Sequence, residues 1–336
     1  MKILIITDAW APQVNGVVRT YENTCKEMRN MGVDYVVINP ELQRFKKIPL
    51  PGYKEIKIVV NPWKINVLLN NYMKDGYKFH IATEGPLGLC AKRFCERNGI
   101  SYTTSFHTLF PEFIEKRIGL PSVWSYKYFR WFHKKSRKVL VPTIDIKNHL
   151  FNFGITNTAI WTRGVDNKIF NPQRRKNKGS YLLCVSRVSK EKGLDDFCQL
   201  KGRKVLIGDG PYLNELKRKY KDVECLGKLQ GIELAEWIAS ADVFVFPSKS
   251  DTFGIVILES IACGTPVAAY EQPGPKIVIA NNYNGHYGNN LQESVEKCYG
   301  LNRNYVFDSS KGWTWKSSTE QFIEAMNDNI GYLQKY

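Results

Sequence analysis

The sequence predicts two α/β domains in tandem, each a doubly wound parallel sheet with helices on both faces. Three observations carry this. Short apolar runs alternate with stretches of helical periodicity. The alternation stops at a polar segment, residues 171–180, and then begins again. The length, 336 residues, suits two domains of ordinary size.

The elements follow in order. Residues 3–7 form an apolar run that is too short for a signal-peptide core and reads as a buried first strand. Val18, Tyr21, Cys25 and Met28 recur at helical spacing, with Gly32 as the stop. Residues 35–38, 56–60 and 79–83 read as strands, then a helix over 89–97 is closed by Gly99, and strands follow at 102–106 and 139–141. The polar run 171–180 reads as the linker. Beyond it, 181–185, 204–207, 243–246 and 266–270 read as strands, and 212–220, 233–240 and 254–263 as helices. Two such domains place their strand-end loops on one cleft, where ligands of doubly wound sheets bind.

Composition narrows the function. No run of 18 apolar residues exists, so no membrane-spanning helix is expected, and the chain is assigned to the cytoplasm or the cytosolic face of a membrane. The eight cysteines include no Cys-x-x-Cys pair and read as buried free thiols. The net charge of +16 is concentrated in residues 1–170, which hold 26 lysines and arginines against 13 acids. A basic half that includes Arg130-Trp131-Phe132-His133-Lys134-Lys135 suits an anionic membrane, nucleic acid or an anionic substrate, or else a solvated helix face.

The most informative segment is 246–267. There a strand ends, a loop carries Asp251, and a helix begins at about Gly254 with Glu259 inside it. Amides at a helix start bind phosphate or sugar oxygens. Asp251 could instead be a charge near a helix terminus, and Glu259 a solvated helix residue. Arg187 and Lys192 follow the first strand of the second half, where a guanidinium and an ammonium can neutralise a diphosphate; the alternative is two solvated cations beside Lys190 and Glu191. Gly16 opens a helix after the first strand's loop and would let a ligand reach backbone amides, or serve only as a turn glycine. Gly208 and Gly210 form a Gly-x-Gly turn without the third glycine of a dinucleotide fingerprint. No Asp-x-Asp occurs, which argues against a metal-bridged diphosphate.

Taken in order, several segments resemble glycosyltransferase family 4. They are 7–19, Thr83-Glu84-Gly85-Pro86-Leu87-Gly88, Ser105-Phe106-His107-Thr108, Arg163-Gly164-Val165-Asp166, 186–193, Gly208-Asp209-Gly210-Pro211 and 246–267. The first acid of the last segment is Asp251, in Asp-Thr-Phe-Gly, as in the branch that includes α-mannosyltransferases and sulfolipid synthases. The resemblance implies a GT-B architecture of two Rossmann-like domains facing a central cleft. Residues 1–170 would bind the acceptor and 171–316 the nucleotide sugar, with the helix of 317–336 returning to the N-terminal domain. It implies a retaining hexosyltransferase using GDP-mannose, or a UDP-sugar carrying glucose or sulfoquinovose. Attack would be front-face, with no protein nucleophile and no metal or other cofactor.

The resemblance also implies roles. His107 would meet the donor sugar, Asp251 with Thr252, Phe253, Gly254, Ile255 and Val256 would hold the hexose, and Glu259 would accept from the ribose hydroxyls. Leu226 and Lys228, with Gly208 and Gly210, would flank the base. The partners expected are a nucleotide sugar, a glycan or lipid acceptor, peripheral contact with an anionic membrane, and a second copy of the chain as a homodimer, with no nucleic acid. Three rivals stand beside this: a nucleotide-sugar epimerase or hydrolase on the same scaffold, a glycosidase using two carboxylates, and a non-catalytic binder of nucleic acid or an anionic membrane.

Overall fold

The computed structural model describes residues 1–13, 15–50, 53–107, 109, 121–249 and 251–327; Val14, Thr108 and Ser250 of the motif segments lie outside the described residues. The chain divides into two compact units, Met1–Thr162 with the segment from Lys316 onward, and Arg163–Trp315.

In the first unit, β1 (Lys2–Ile6), β2 (Asp34–Ile38), β5 (Lys78–Ile81), β6 (Tyr102–Ser105), β7 (Val139–Val141) and β8 (Thr158–Ile160) form one parallel sheet in the order β2-β1-β5-β6-β7-β8. Residues 56–60, read from the sequence as a strand of this sheet, instead belong to a separate antiparallel pair of β3 (Lys47–Leu50) and β4 (Tyr53–Val59). A short local connection favours antiparallel pairing, whereas a parallel strand needs a crossover. Helix Gly16–Asn30 starts where the Asn15 side chain accepts from the Val18 amide at 3.0 Å, and it packs Tyr21, Cys25 and Met28 with Ile3 and Ile5.

The terminal helix Trp315–Met326 packs in this same unit. Phe322, Ala325 and Met326 are buried with Ile3, Ile5 and Trp161, and Gln321 accepts from the Thr162 amide at 2.9 Å. Helix Ser122–His133 buries Tyr126, Phe129 and Phe132. Its other face exposes Trp124 (60%), Tyr128 (38%) and Trp131 (45%). The Lys127 ammonium lies 3.9 Å over the Trp124 ring and that of Lys92 4.1 Å over the Trp131 ring.

The second unit repeats the architecture. Its strands are β9 (Leu182–Val185), β10 (Lys204–Ile207), β11 (Val223–Gly227), β12 (Val243–Phe246), β13 (Val267–Tyr270) and β14 (Gly285–Gly288), parallel in the order β11-β10-β9-β12-β13-β14. Apolar clusters cover both faces, so central strands such as β12 are buried along their whole length and read as unbroken apolar runs. The unit begins at Arg163 rather than at residue 171, because Val165 and Phe170 are part of its core and the Val165 amide donates to the Trp313 carbonyl at 3.0 Å. The polarity of 171–180 marks a surface connection, not the boundary. No described helix is long and apolar enough to cross a membrane.

One buried group makes the first unit acid-sensitive. His80 on β5 is fully buried, and burial pushes its imidazole down to about 3. In the unfolded chain it titrates near its ordinary value of about 6.5. Between those values the unfolded state binds a proton that the native state refuses, so the stability contributed by neutral His80 is lost as pH falls from about 6.5 towards 3. By pH 5 the loss is about 2 kcal/mol. Asp8, pushed up to about 6 chiefly by burial, acts in the opposite sense. The diagnostic quantity is therefore the difference in urea midpoint between wild type and His80→Gln at pH 7 and pH 5. Wild type should lose more on acidification; an equal loss in both would exclude His80 as the cause.

Candidate functional site

The strand order of the second unit reverses direction between β9 and β12, and the crevice at the strand ends beside such a reversal is where doubly wound sheets bind ligands. The loop after β9 carries Arg187 and, in a short turn Lys190–Lys192, Lys192; the loop after β12 carries Asp251. The fold thus brings together side chains far apart in sequence. Lys192 Nζ lies 2.6 Å from Asp251 Oδ1, with side chains 21% and 28% exposed. Arg187 Nη2 lies 2.6 Å from Glu191 Oε1, to which the Ser189 hydroxyl also donates at 2.6 Å.

The electrostatics join these pairs. Burial alone would raise the Asp251 carboxyl, but the Lys192 charge and hydrogen bond, a hydrogen bond from Ser248 and the Arg187 charge hold it below the ordinary carboxylate range. Burial likewise opposes ionisation of Glu191, and Ser189 and Arg187 outweigh it. Neither cation is fully solvated, the side chains being 21% exposed for Lys192 and 29% for Arg187, and Arg187 pairs with Glu191, the neighbour that the simpler sequence alternative named. Each is neutralised by a carboxylate. Glu191 and Ser248 were not among the sequence candidates. The Arg187-to-Glu191 spacing was legible as a signal, and the Ser248 contact was not.

The turn that carries Lys192 is held by Gly193, at φ +66; a Cβ there would come within 2.5 Å of the Pro247 carbonyl oxygen. Gly254, at φ +87, caps helix Ile255–Ala262 and itself offers no side chain to the first amides. Thr252 and Phe253 are buried, and the Phe253 ring packs in the core with Trp313 at 5.9 Å, so only its backbone can face a ligand. Ile255 and Val256 are half-buried against the same core. Glu259 is 1% exposed, which removes the reading of a solvated helix residue.

Gly208 and Gly210 support the Arg187 loop from beneath. A Cβ on Gly208 would stand 1.8 Å from the Ser186 carbonyl oxygen, and one on Gly210 2.3 Å from that of Val188. The Val188 amide also donates to the Asp209 carbonyl at 2.9 Å. Leu226 is half-buried near the end of β11, and Lys228 is exposed just beyond it. Among the described residues, no three of His, Cys, Asp and Glu gather as metal ligands do.

Gly16 and His107 belong to the first unit. A Cβ on Gly16 would meet nothing within 4 Å, so packing does not require glycine there. His107 is half-buried, with Nε2 3.2 Å from the Tyr21 hydroxyl. The conspicuous segments 7–8 and 83–88 explain each other. The Asp8 carboxylate accepts from the Thr83 hydroxyl at 2.9 Å and from the Leu87 and Gly88 amides at 2.8 and 3.2 Å, at the start of helix Pro86–Arg97. Gly85 and Gly88 lie so close to Asp8 and to the Thr83 carbonyl that neither position has room for a side chain.

Comparison with known proteins agrees with this architecture. Residues 14–168 match the model of Glycosyltransferase Family 4, and residues 165–295 that of Glycosyl transferases group 1. A GDP-mannose-dependent alpha-mannosyltransferase of Corynebacterium glutamicum is 25% identical, covering 100% of this chain and 91% of its own length. The sulfoquinovosyl transferase SQD2 of Arabidopsis thaliana is 27% identical over 82% of this chain, which spans 60% of that relative's length. The crystal structure of HepE from Anabaena in complex with UDP superposes with a TM-score of 0.70 at 13% identity, covering 97% of this chain and 99% of that one. With its two doubly wound units matched in turn by these two models, the chain belongs to glycosyltransferase family 4 and has the GT-B fold.

Proposed function

We propose that the chain is a retaining hexosyltransferase that moves mannose from GDP-mannose to a glycan or lipid acceptor. The observation that carries this is the Lys192–Asp251 ion pair beside Arg187 at the strand-order reversal of the second unit. A partly exposed ion pair of this kind contributes about 1 kcal/mol or less. A nucleoside diphosphate bound with micromolar affinity gains about 8 kcal/mol, so it can displace the carboxylates and take both cations.

In the proposed reaction the bond between the hexose anomeric carbon and the diphosphate breaks, and the acceptor oxygen bonds to the same face. The leaving phosphate oxygen takes the acceptor's proton. Arg187, Lys192 and the amides of Ile255 and Val256 stabilise the charge that builds on the diphosphate. Asp251 and Thr252, with the backbone from Phe253 to Val256, position the hexose, and His107 meets it. Glu259, an acceptor when ionised, suits the ribose diol, while Gly208, Gly210, Leu226 and Lys228 flank the base. Gly16, at a helix start, would let the donor approach the backbone there. The donor rests on the likeness to the mannosyltransferases; the likeness to a sulfoquinovosyl transferase supports a UDP-sugar as the second reading.

Calorimetric titration of GDP-mannose, UDP-glucose and UDP-sulfoquinovose, each with a chelator present, tests the proposal. GDP-mannose should bind most tightly and turn over without a metal. Loss of all binding and activity on chelation, restored by a divalent ion, would contradict it. The exposed Trp124, Tyr128 and Trp131, interleaved with Lys127 and Arg130, support an acceptor met at an anionic bilayer. Sedimentation with phosphatidylglycerol vesicles but not with phosphatidylcholine vesicles is the expected result, and equal behaviour with both would exclude it.

A further inference from the structure

We propose that Lys249 is a positioning residue, whose tie to Asp196 and Tyr270 keeps the loop of Asp251 in place when the Lys192–Asp251 pair opens. Asp251 then stays set for the hexose after the diphosphate has taken Lys192. The role towards the hexose rests on the reading above; the hold on the loop does not.

Two segments of the second unit meet here. One runs from the turn Lys190–Lys192 through Gly193 into the short helix Leu194–Cys198. The other is the loop between β12 and helix Ile255–Ala262. Their backbones are close at one point, where a Cβ on Gly193 would stand 2.5 Å from the Pro247 carbonyl oxygen. Opposite charges then meet twice. Lys192 reaches Asp251 at 2.6 Å, and Asp196, four residues on, accepts from Lys249 at 2.9 Å. The proposed reaction treats the two bridges differently: the diphosphate opens the first, and the second has no part in the donor contacts.

By itself a bridge with side chains 53% and 36% exposed holds little. This one is reinforced. The Tyr270 hydroxyl donates to the same Asp196 oxygen at 2.8 Å, and the Lys249 ammonium lies 4.1 Å over the Tyr270 ring. The hydrogen bond to Asp196 pushes that ammonium above its ordinary range. The segment that carries Asp196 is itself anchored. Leu194, Phe197 and Cys198 are buried, the Asp196 amide donates to the Gly193 carbonyl at 3.1 Å, and Asp195 accepts from the Tyr212 and Tyr220 hydroxyls at 2.8 and 2.9 Å. Lys249 therefore grips a fixed base. Asp251 is two residues further along, and two residues span at most about 7 Å, so fixing the first leaves the second little freedom.

Hydrogen–deuterium exchange of the full chain, read on peptides covering residues 247–254, tests the hold without any ligand. Lys192→Ala opens the inner pair and should leave exchange there within about twofold of wild type. Lys249→Met keeps the stem, removes the charge and should also change little alone, because Lys192 still holds Asp251. The two together should raise the rate about fivefold or more, a non-additive effect. Peptides of β9 should be unchanged, which separates a loosened loop from a loosened fold. A double variant that exchanges no faster than Lys192→Ala would overturn the proposal. Towards the sugar the readout is a split in affinity, measured by calorimetry with GDP and GDP-mannose, or with UDP and UDP-glucose where those bind more tightly. Lys249→Met should keep wild-type affinity for the diphosphate and weaken the nucleotide sugar about fivefold, and Lys249→Arg should restore it. Equal weakening of both ligands would also overturn the proposal. If Asp251→Asn leaves the affinity for the nucleotide sugar unchanged while the double variant exchanges as expected, the hold stands and the hexose reading falls.

Discussion

Lys192→Ala is expected to cut turnover of the nucleotide sugar by at least about a hundredfold, and Arg187→Ala by a similar factor, the scale seen when one group stabilising developing charge is lost. The ammonium and guanidinium face the carboxylates of Asp251 and Glu191, and in the proposed reaction the diphosphate would take their place. The loss should therefore depend on the leaving group. Affinity for a nucleoside diphosphate should fall much more than affinity for the monophosphate, because the monophosphate lacks the group that both cations would grip. Calorimetry with the two nucleotides separates this from a general loss of fold. Wild-type turnover in either variant would remove the assigned role.

The second large effect falls on stability. Gly208→Ala would place a Cβ 1.8 Å from the Ser186 carbonyl oxygen, at a residue whose φ is +145. Backbone cannot yield there as a flexible side chain would, because the Val188 and Gly208 amides are both bonded within the same pair of loops and the end of β11. A destabilisation of about 3 kcal/mol or more is expected, with loss of nucleotide binding as the Arg187 loop is displaced. Gly16→Ala is the control. Its Cβ meets nothing within 4 Å, so stability should change by no more than about 0.5 kcal/mol. Thermal unfolding of the two variants reads the contrast, and equal midpoints would show that the close approach at Gly208 is not rigid.

Much of the fold was legible in the sequence, for a physical reason. Strands buried on both faces, such as β9 and β12, must be apolar throughout, and the helices between them must be apolar on one side. Strands without that burial were harder to place: residues 56–60 read as a strand of the wrong sheet, and β3 and β14 were not read at all. β14 runs Gly-His-Tyr-Gly, and the β3–β4 pair lies outside the main sheet. The unit boundary was misplaced because polarity marks exposure, whereas membership of a core is set by residues such as Val165 and Phe170 just before the polar run.

The charges that gather at the candidate crevice were legible singly but not as pairs. Arg187, Lys192 and Asp251 were visible as charges after strands, yet nothing local couples Lys192 to an acid 59 positions away. Burial of Glu259 could not be read either, because a glutamate on a helix is solvated far more often than not. Tyr21 is the clearest case. Its helical spacing marks it as a core residue, and periodicity says nothing of a hydroxyl that joins His80, Ser105 and His107.

A crystal structure of the chain with a nucleoside diphosphate, grown with a chelator, would be decisive. Phosphate oxygens should lie within about 3.2 Å of the Arg187 guanidinium, the Lys192 ammonium and the first amides of helix Ile255–Ala262, with the ribose on Glu259 and the Lys192–Asp251 pair opened. A diphosphate bound elsewhere, with Lys192 still on Asp251, would contradict the assignment of this crevice as the donor site.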